Sequence, residues 1–232
     1  MRASSTLLVI AADAREFTGL RRRLGEGDSL RWPIDFSRAV SRGNERWVLV
    51  ANGPGPKLAG EAFDVSNARD KAGAVLNTGY CGALDPALKL AEVVRVKTVL
   101  DTASGRAHAT RHGQGITLAC GDRVVGTVAE KAQLRERTGA DAVDMESAAV
   151  ASRAEEAGLP FFCVRVVSDT ASEGFDADLN AARDPTGRFS ARAIVGQALR
   201  KPWTRVPELI RLGRHSRLAS EKLGDFLAGC RF

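Results

Sequence analysis

The chain has 232 residues, 44% of them hydrophobic and 27% charged, with a formal net charge of +6; this suits one domain with a sizeable core. No apolar run reaches the ~18 residues of a membrane-spanning helix, so none is expected. The cysteines Cys81, Cys120, Cys163 and Cys230 lie far apart without a C-x-x-C pair, which fits a reduced, cytoplasmic protein without structural zinc, while the basic charge leaves nucleic acid, an anionic membrane or an anionic substrate as partners.

The start, Met1 to Ile10, resembles a signal peptide only superficially: its apolar run is short and stops at Asp13, so Thr6 to Ala12 is read as a buried first strand. A helix is expected around Glu16 to Leu24. Arg46 to Ala51 is a second strand, closed by the turn-rich Asn52-Gly53-Pro54-Gly55-Pro56, and a small-residue helix follows through Ala59, Ala62 and Ala68. Ala74 to Thr78 is a third strand that ends in a glycine-rich turn, Gly79-Tyr80-Cys81-Gly82. Glu92 to Leu100 reads as a longer strand and Thr127 to Arg137 as a helix. The segment from Gly25 to Asn44 carries no functional reading. Apolar strands alternating with helices predict an α/β fold with a largely parallel sheet buried on both faces. In such a sheet, ligands bind beyond the carboxyl ends of the strands.

The two glycine-rich turns let backbone approach a ligand and leave helix N–H groups free for an anion. The first is no dinucleotide fingerprint, because Leu58 stands where a third glycine belongs; an ordinary tight turn is the favoured reading of each taken alone. More informative are two longer elements. Val143-Asp144-Met145-Glu146-Ser147-Ala148-Ala149-Val150-Ala151 places two acids at the start of a small-residue helix. Asp144 suits the positive end of the helix dipole. Glu146 precedes a surface too small and apolar to be solvated, which places its carboxylate in a cleft. Phe161 to Asp169 is an apolar strand carrying Arg165 inside it and ending in Ser168-Asp169. Arg165 reads either as a partner in a buried ion pair or as a group reaching an anion or water. Asp169 reads as an N-cap or Asx turn, or as a general acid whose proton affinity burial raises. Glu16, taken alone, reads as a surface helix residue.

Taken together in chain order, these segments resemble the purine nucleoside phosphorylase and methylthioadenosine/S-adenosylhomocysteine nucleosidase superfamily. The likeness rests on Glu16 after the first strand, Asn52 to Gly55, Asn77 to Leu84, Gly121-Asp122, Val143 to Ala151 and Val164 to Asp169. The resemblance implies a single three-layer domain over residues 1–232, its central mixed, mostly parallel sheet flanked by helices, with a basic helical segment at 200–232. It implies cleavage of the N-ribosidic bond of an adenosine-type nucleoside by phosphorolysis or hydrolysis. No metal or organic cofactor is expected, and phosphate is the co-substrate if the cleavage is phosphorolytic. Asp169 would serve N7 of the departing purine with Ser168 orienting it, Glu146 would hold the ribose hydroxyls over Met145, and Val124 and Val125 would flank the base. Glu16 would position or deprotonate the nucleophilic water with Arg165 nearby, and Gly82 and Tyr80 would line the substrate site. Asn77 and Thr78 match the hydrolases better than the phosphorylases; the bulk of Tyr80 matches neither, and Arg15 remains as a phosphate ligand. The resemblance also implies a homo-oligomer.

The tail from Arg200 to Phe232 is arginine-rich, with Leu209, Leu212, Ala219, Leu223 and Phe226 three or four apart. It reads as a helix packed on the domain or a partner subunit, or as a basic face that holds the protein at the inner surface of an anionic membrane. Asp184 to Arg188 and Arg200-Lys201-Pro202 look most like the hopanoid-associated branch, whose substrates are adenosyl-hopane lipids. Two other classes stay open: a catalytically silent nucleoside-binding or scaffold protein on the same fold, and a nucleic-acid binder. The last lacks aromatic interleaving or a recognised module, and nucleic acid is not expected as a partner.

Overall fold

The computed structural model describes residues 6–175, 178–184, 186–230 and 232; Met1 to Ser5 and Pro185, which figure in the readings above, lie outside them. The strands are β1 (Thr6–Ala11), β2 (Asp28–Ser29), β3 (Phe36–Arg42), β4 (Glu45–Ala51) and β5 (Ala72–Ala83), followed by β6 (Val93–Asp101), β7 (Ala107–Ala109), β8 (Ile116–Cys120), β9 (Ala142–Asp144) and β10 (Phe161–Asp169). The helices are α1 (Thr18–Leu24), α2 (Pro56–Arg69), α3 (Val128–Thr138), α4 (Ser147–Glu156), α5 (Ala191–Arg200) and α6 (Pro202–Gly229).

All ten strands join one sheet in the order β10-β6-β8-β9-β5-β1-β4-β3-β2, with β7 beside β6. Because β10 also pairs with β5, the run β5-β9-β8-β6-β10 closes on itself as a small barrel, and β1, β4, β3 and β2 extend from it as a wing. The strands β1, β4, β5 and β10 run one way, whereas β9 and β6 meet that set antiparallel. The sheet is mixed, as expected, but parallel pairs do not dominate it. Strand ends therefore do not all fall on one edge.

Helices cover both faces. On one, α2 and α4 pack together over a core of Ile10, Val48, Val75, Val99, Phe161 and Cys163. On the other, α1 and α6 cover Val9, Phe17, Leu49, Leu76, Val166 and Leu223. The strand β1 is buried along its whole length, which is why it reads as a continuous apolar run. The expected helix after it is split: Ala14–Phe17 is a single 3-10 turn and only Thr18–Leu24 is α-helical. Asp13 caps that turn, its side chain accepting from Arg15 N, while Glu16 reaches back to Asp13 N.

Candidate active site

The C-terminal half of β5 carries the site. Residues 79–82, read as a turn, are in fact strand, because β10 pairs alongside them as far as Asp169. The register sets Arg165 opposite Gly79 and Asp169 opposite Gly82, with Val143 of β9 across from Gly82. Gly79 has φ +134, and a Cβ there would lie 2.6 Å from Glu16 Oε1 and 2.9 Å from Arg165 Nη1. A Cβ on Gly82 would lie 3.0 Å from Asp169 Oδ2. Bare backbone at these two positions lets three functional side chains converge on one strand. Three strand residues separate the two groups, roughly 10 Å.

Arg165 is 1% exposed. Its Nη2 donates to Asn77 Oδ1, to Asp144 Oδ2 and to Ser147 Oγ at 2.8 Å. Burial works against its charge, but Asp144, Glu146 and Glu16, all nearby, hold its pKa above the usual arginine value. Asp144, at the end of β9, is the ion-pair partner of Arg165 and also serves the start of α4, since its Oδ2 accepts from Ser147 N at 3.1 Å. Glu16 is buried, not a surface residue. Its Oε2 accepts from Ala12 N at 2.8 Å and Asp13 N at 3.0 Å, and its Oε1 accepts from Tyr80 N at 2.8 Å. Burial pushes its pKa up against those N–H groups and Arg165.

Asp169 is buried as expected, but not alone. Lys131 of α3, 1% exposed, donates from Nζ to Asp169 Oδ2 at 2.5 Å, to Thr170 O at 2.6 Å and to Glu173 O at 2.9 Å. Ser168 Oγ donates to Asp169 Oδ1 at 2.7 Å. Both Asp169 oxygens therefore accept. Lys131 escaped the sequence reading, although a signal was there: it takes a position on α3 three residues before buried Leu134, where an apolar side chain belongs.

Glu146 precedes α4. Its Oε1 accepts from Gly55 N at 2.7 Å, which ties the Asn52 to Gly55 loop to the acid. Burial, then the negative charge of Asp144, pushes its pKa up to about 7. Met145 is buried beside it. A strap formed by residues 178–184 and 186–188 crosses from this loop to the one at 122–124. Arg183 Nη1 donates to Asp122 O at 2.6 Å, and a Cβ on Gly55 would lie 2.7 Å from Arg183 Nη2. Arg188 pairs with Asp35 and lies against Gly53. Asn180 clamps Val124, accepting from its N–H at 2.8 Å and donating to its carbonyl at 2.9 Å. Val124 lines a cavity of about 410 Å³ with Thr127, Phe175 and Asn180, while Val125 packs under α3 with Leu134 and Val143. A larger groove of about 930 Å³, between Leu84, Leu88, Val128 and Arg135, meets the site only at Thr170 and holds none of the expected residues. It carries no argument about the chemistry.

The bulk of Tyr80 is accounted for by α6: its hydroxyl donates to Ser216 O at 3.0 Å and its ring packs with that face's core. Asn77 Nδ2 donates to Ile10 O at 3.1 Å, so this residue braces Arg165 from β1. Arg15, expected as a phosphate ligand, is instead held by Asp13, with its side chain 85% exposed.

A family model described as the Phosphorylase superfamily matches residues 102–199. That stretch contains Lys131, Asp144, Glu146, Arg165 and Asp169, and leaves out Glu16 and Gly79. None of the curated proteins matches. Among solved structures, the futalosine hydrolase of Helicobacter pylori strain 26695 superposes with a TM-score of 0.73 at 15% identity, over 98% of this chain and 97% of that one. The 5'-methylthioadenosine/S-adenosylhomocysteine nucleosidase of Neisseria meningitidis, in complex with methylthio-immucillin-A, superposes at 0.71 with 21% identity over 97% of both chains. The Helicobacter pylori nucleosidase of the same name gives 0.71 at 15%, again over 97% of both. At these identities the likeness is one of fold, and the fold is that of nucleoside phosphorylases and nucleosidases.

Proposed function

We propose that this chain hydrolyses the N-ribosidic bond of an adenosine-type nucleoside. The observation that carries the reading is the convergence on β5: an acid–ammonium pair at Gly82, and a buried carboxylate beside a buried arginine at Gly79. Breaking this bond leaves positive charge on the sugar and negative charge on the base. As the C1′–N9 electron pair moves onto the purine, the proton shared between Lys131 Nζ and Asp169 Oδ2 passes to N7. Acid assistance of this kind contributes ~10²–10⁴-fold. Ionised Glu146 holds the ribose hydroxyls and places negative charge beside the cationic sugar, in a dry site where such an interaction is strong. A water held by Glu16 attacks C1′ and gives its proton to that carboxylate.

Water is preferred to phosphate as the nucleophile because the cations on that side are engaged. Arg15 is turned out onto Asp13, and Arg165 is held by Asp144 and Asn77. A lipid-linked substrate such as an adenosyl-hopane is the specific candidate. The Asp184 to Arg188 resemblance and the apolar outer face of α5 support it. A second reading, nucleoside binding without turnover, draws on Asp169 accepting at both oxygens. Adenine release from adenosine-type nucleosides, assayed with and without phosphate, decides between them. Release independent of phosphate is expected, and Asp169→Asn should lower it at least 10²-fold. Absence of release with retained nucleoside binding would favour the second reading.

A further inference from the structure

The second half of α6 is explained by packing: Ala219, Leu223 and Leu227 are buried against α1 and the sheet. The first half and α5 are not. Val195, Leu199, Trp203, Val206 and Ile210 are all exposed, Leu199 at 73% and Trp203 at 91%. Val195 and Leu199 are four apart on α5, and Trp203, Val206 and Ile210 are three and four apart on α6, so each set lines one face of its own helix; Lys201, at φ -141 and ψ 66, breaks the helix between them. Exposed apolar residues thus stand on both helices, on either side of that break. An exposed apolar set of this size on two helices marks a contact surface.

Charge identifies the partner. Between residues 192 and 217 the chain carries seven arginines and lysines and one acid, Glu208, and Glu208 is buried. Arg192, Arg200, Lys201, Arg211, Arg214 and Arg217 are exposed. A second copy docked here by a two-fold axis would bring two strongly cationic surfaces together. Nucleic acid would satisfy the cations, but four aliphatic side chains and a single ring offer its bases little to stack on. A bilayer with anionic headgroups satisfies both features. Apolar side chains enter the acyl boundary, the indole sits at the headgroup level, and long cationic side chains reach the phosphates. Among the described residues no helix is long and apolar enough to cross a membrane.

We propose that α5 and the first half of α6 form a peripheral docking surface for an anionic lipid bilayer. The proposal stands independently of the nucleoside chemistry.

The full chain is mixed with vesicles of phosphatidylcholine alone, or with one-third phosphatidylglycerol, at low and high salt. Sedimentation with the anionic vesicles at low salt is expected, accompanied by a blue shift of tryptophan emission. That shift belongs to Trp203, since Trp47 is buried and Trp32 partly so, and it disappears in Trp203→Phe. Leu199→Ser with Trp203→Ser should weaken binding at least tenfold. So should Arg200→Glu with Lys201→Glu, as each lost cation near such a surface weakens binding about fivefold and the reversal adds to it. Both pairs change exposed positions, so melting temperature should be unchanged. Four outcomes would overturn the proposal: no sedimentation with anionic vesicles; equal sedimentation with neutral ones; full binding by the Leu199/Trp203 pair; or tighter binding to single-stranded RNA than to vesicles. A wild-type dimer that the Leu199/Trp203 pair converts to monomer would likewise assign the face to a second copy.

Discussion

Lys131 and Asp169 are the pair on which the proposed chemistry turns. Removing one member of a buried ion pair leaves the other uncompensated, a cost of about 3 kcal/mol or more. Lys131→Met should therefore lower the melting temperature and, by removing the proton source, reduce kcat for adenine release by about 10²-fold. Lys131→Arg should recover part of both. Full kcat in Lys131→Met would remove Lys131 from the proton path. Glu146 offers a second test at this scale. Its pKa is pushed up to about 7 by burial and by Asp144, and it must be ionised to accept from ribose hydroxyls. kcat/KM should accordingly rise with pH through about 7, and the raised pKa of Glu16 acts in the same direction. Glu146→Gln should lower kcat/KM by about 10²-fold and move that inflection. An inflection unchanged in the variant would belong to another group.

Among the elements, the crossing of α1 and α6 fixes the position of the Glu16 turn. A Cβ on Gly19 would fall on the Ser220 carbonyl, and one on Gly224 on the backbone of Gly19. Ser220 Oγ in turn donates to Arg15 O at 3.0 Å. The two helices meet backbone to backbone, with no side chain able to yield. Gly224→Ala should separate them and destabilise the fold by about 1–3 kcal/mol, read as a lower melting temperature. Activity at 25 °C should fall as well, because the displaced turn carries Glu16. A variant that melts with the wild type would show that the crossing can open without cost.

For the whole molecule, buried and half-buried carboxylates pull stability in opposite directions with pH. Glu16 and Glu146 have folded pKa values above their ordinary ones. Their contribution is complete below the unfolded pKa and is lost as pH rises through the folded values, about 7 for Glu146. Asp13, Asp85, Asp101 and Glu130 are lowered, by hydrogen bonds and arginine partners acting against burial. What they contribute is present above the unfolded pKa and is lost as pH falls through the folded values. Melting temperature should therefore peak on the acid side of neutrality, at roughly pH 5–6. A maximum above pH 8 would contradict the raised values.

Much of this was legible in residues 143–169. The order Asp144, Met145, Glu146, then Arg165 and Asp169 marked side chains that are buried, because charges embedded in apolar elements must find partners. The apolar run of β1 and the alternation of strands with helices likewise specified an α/β fold. Other features depended on contacts distant in sequence. Lys131 reaches Asp169 across 38 residues, and Arg165 finds Asp144 only because β9 and β10 both flank β5. The Gly79 to Gly82 segment reads locally as a turn, yet pairing with β10 along its length, joined by β9 at Gly82, makes it strand. The tail from Arg200 onward was legible as an arginine-rich helix, but which of its apolar residues pack inward depended on where α1 met α6. Local composition determined which groups are costly to bury. The closure of the barrel decided which of them meet, since pairing partners are set by register and not by neighbourhood in the chain.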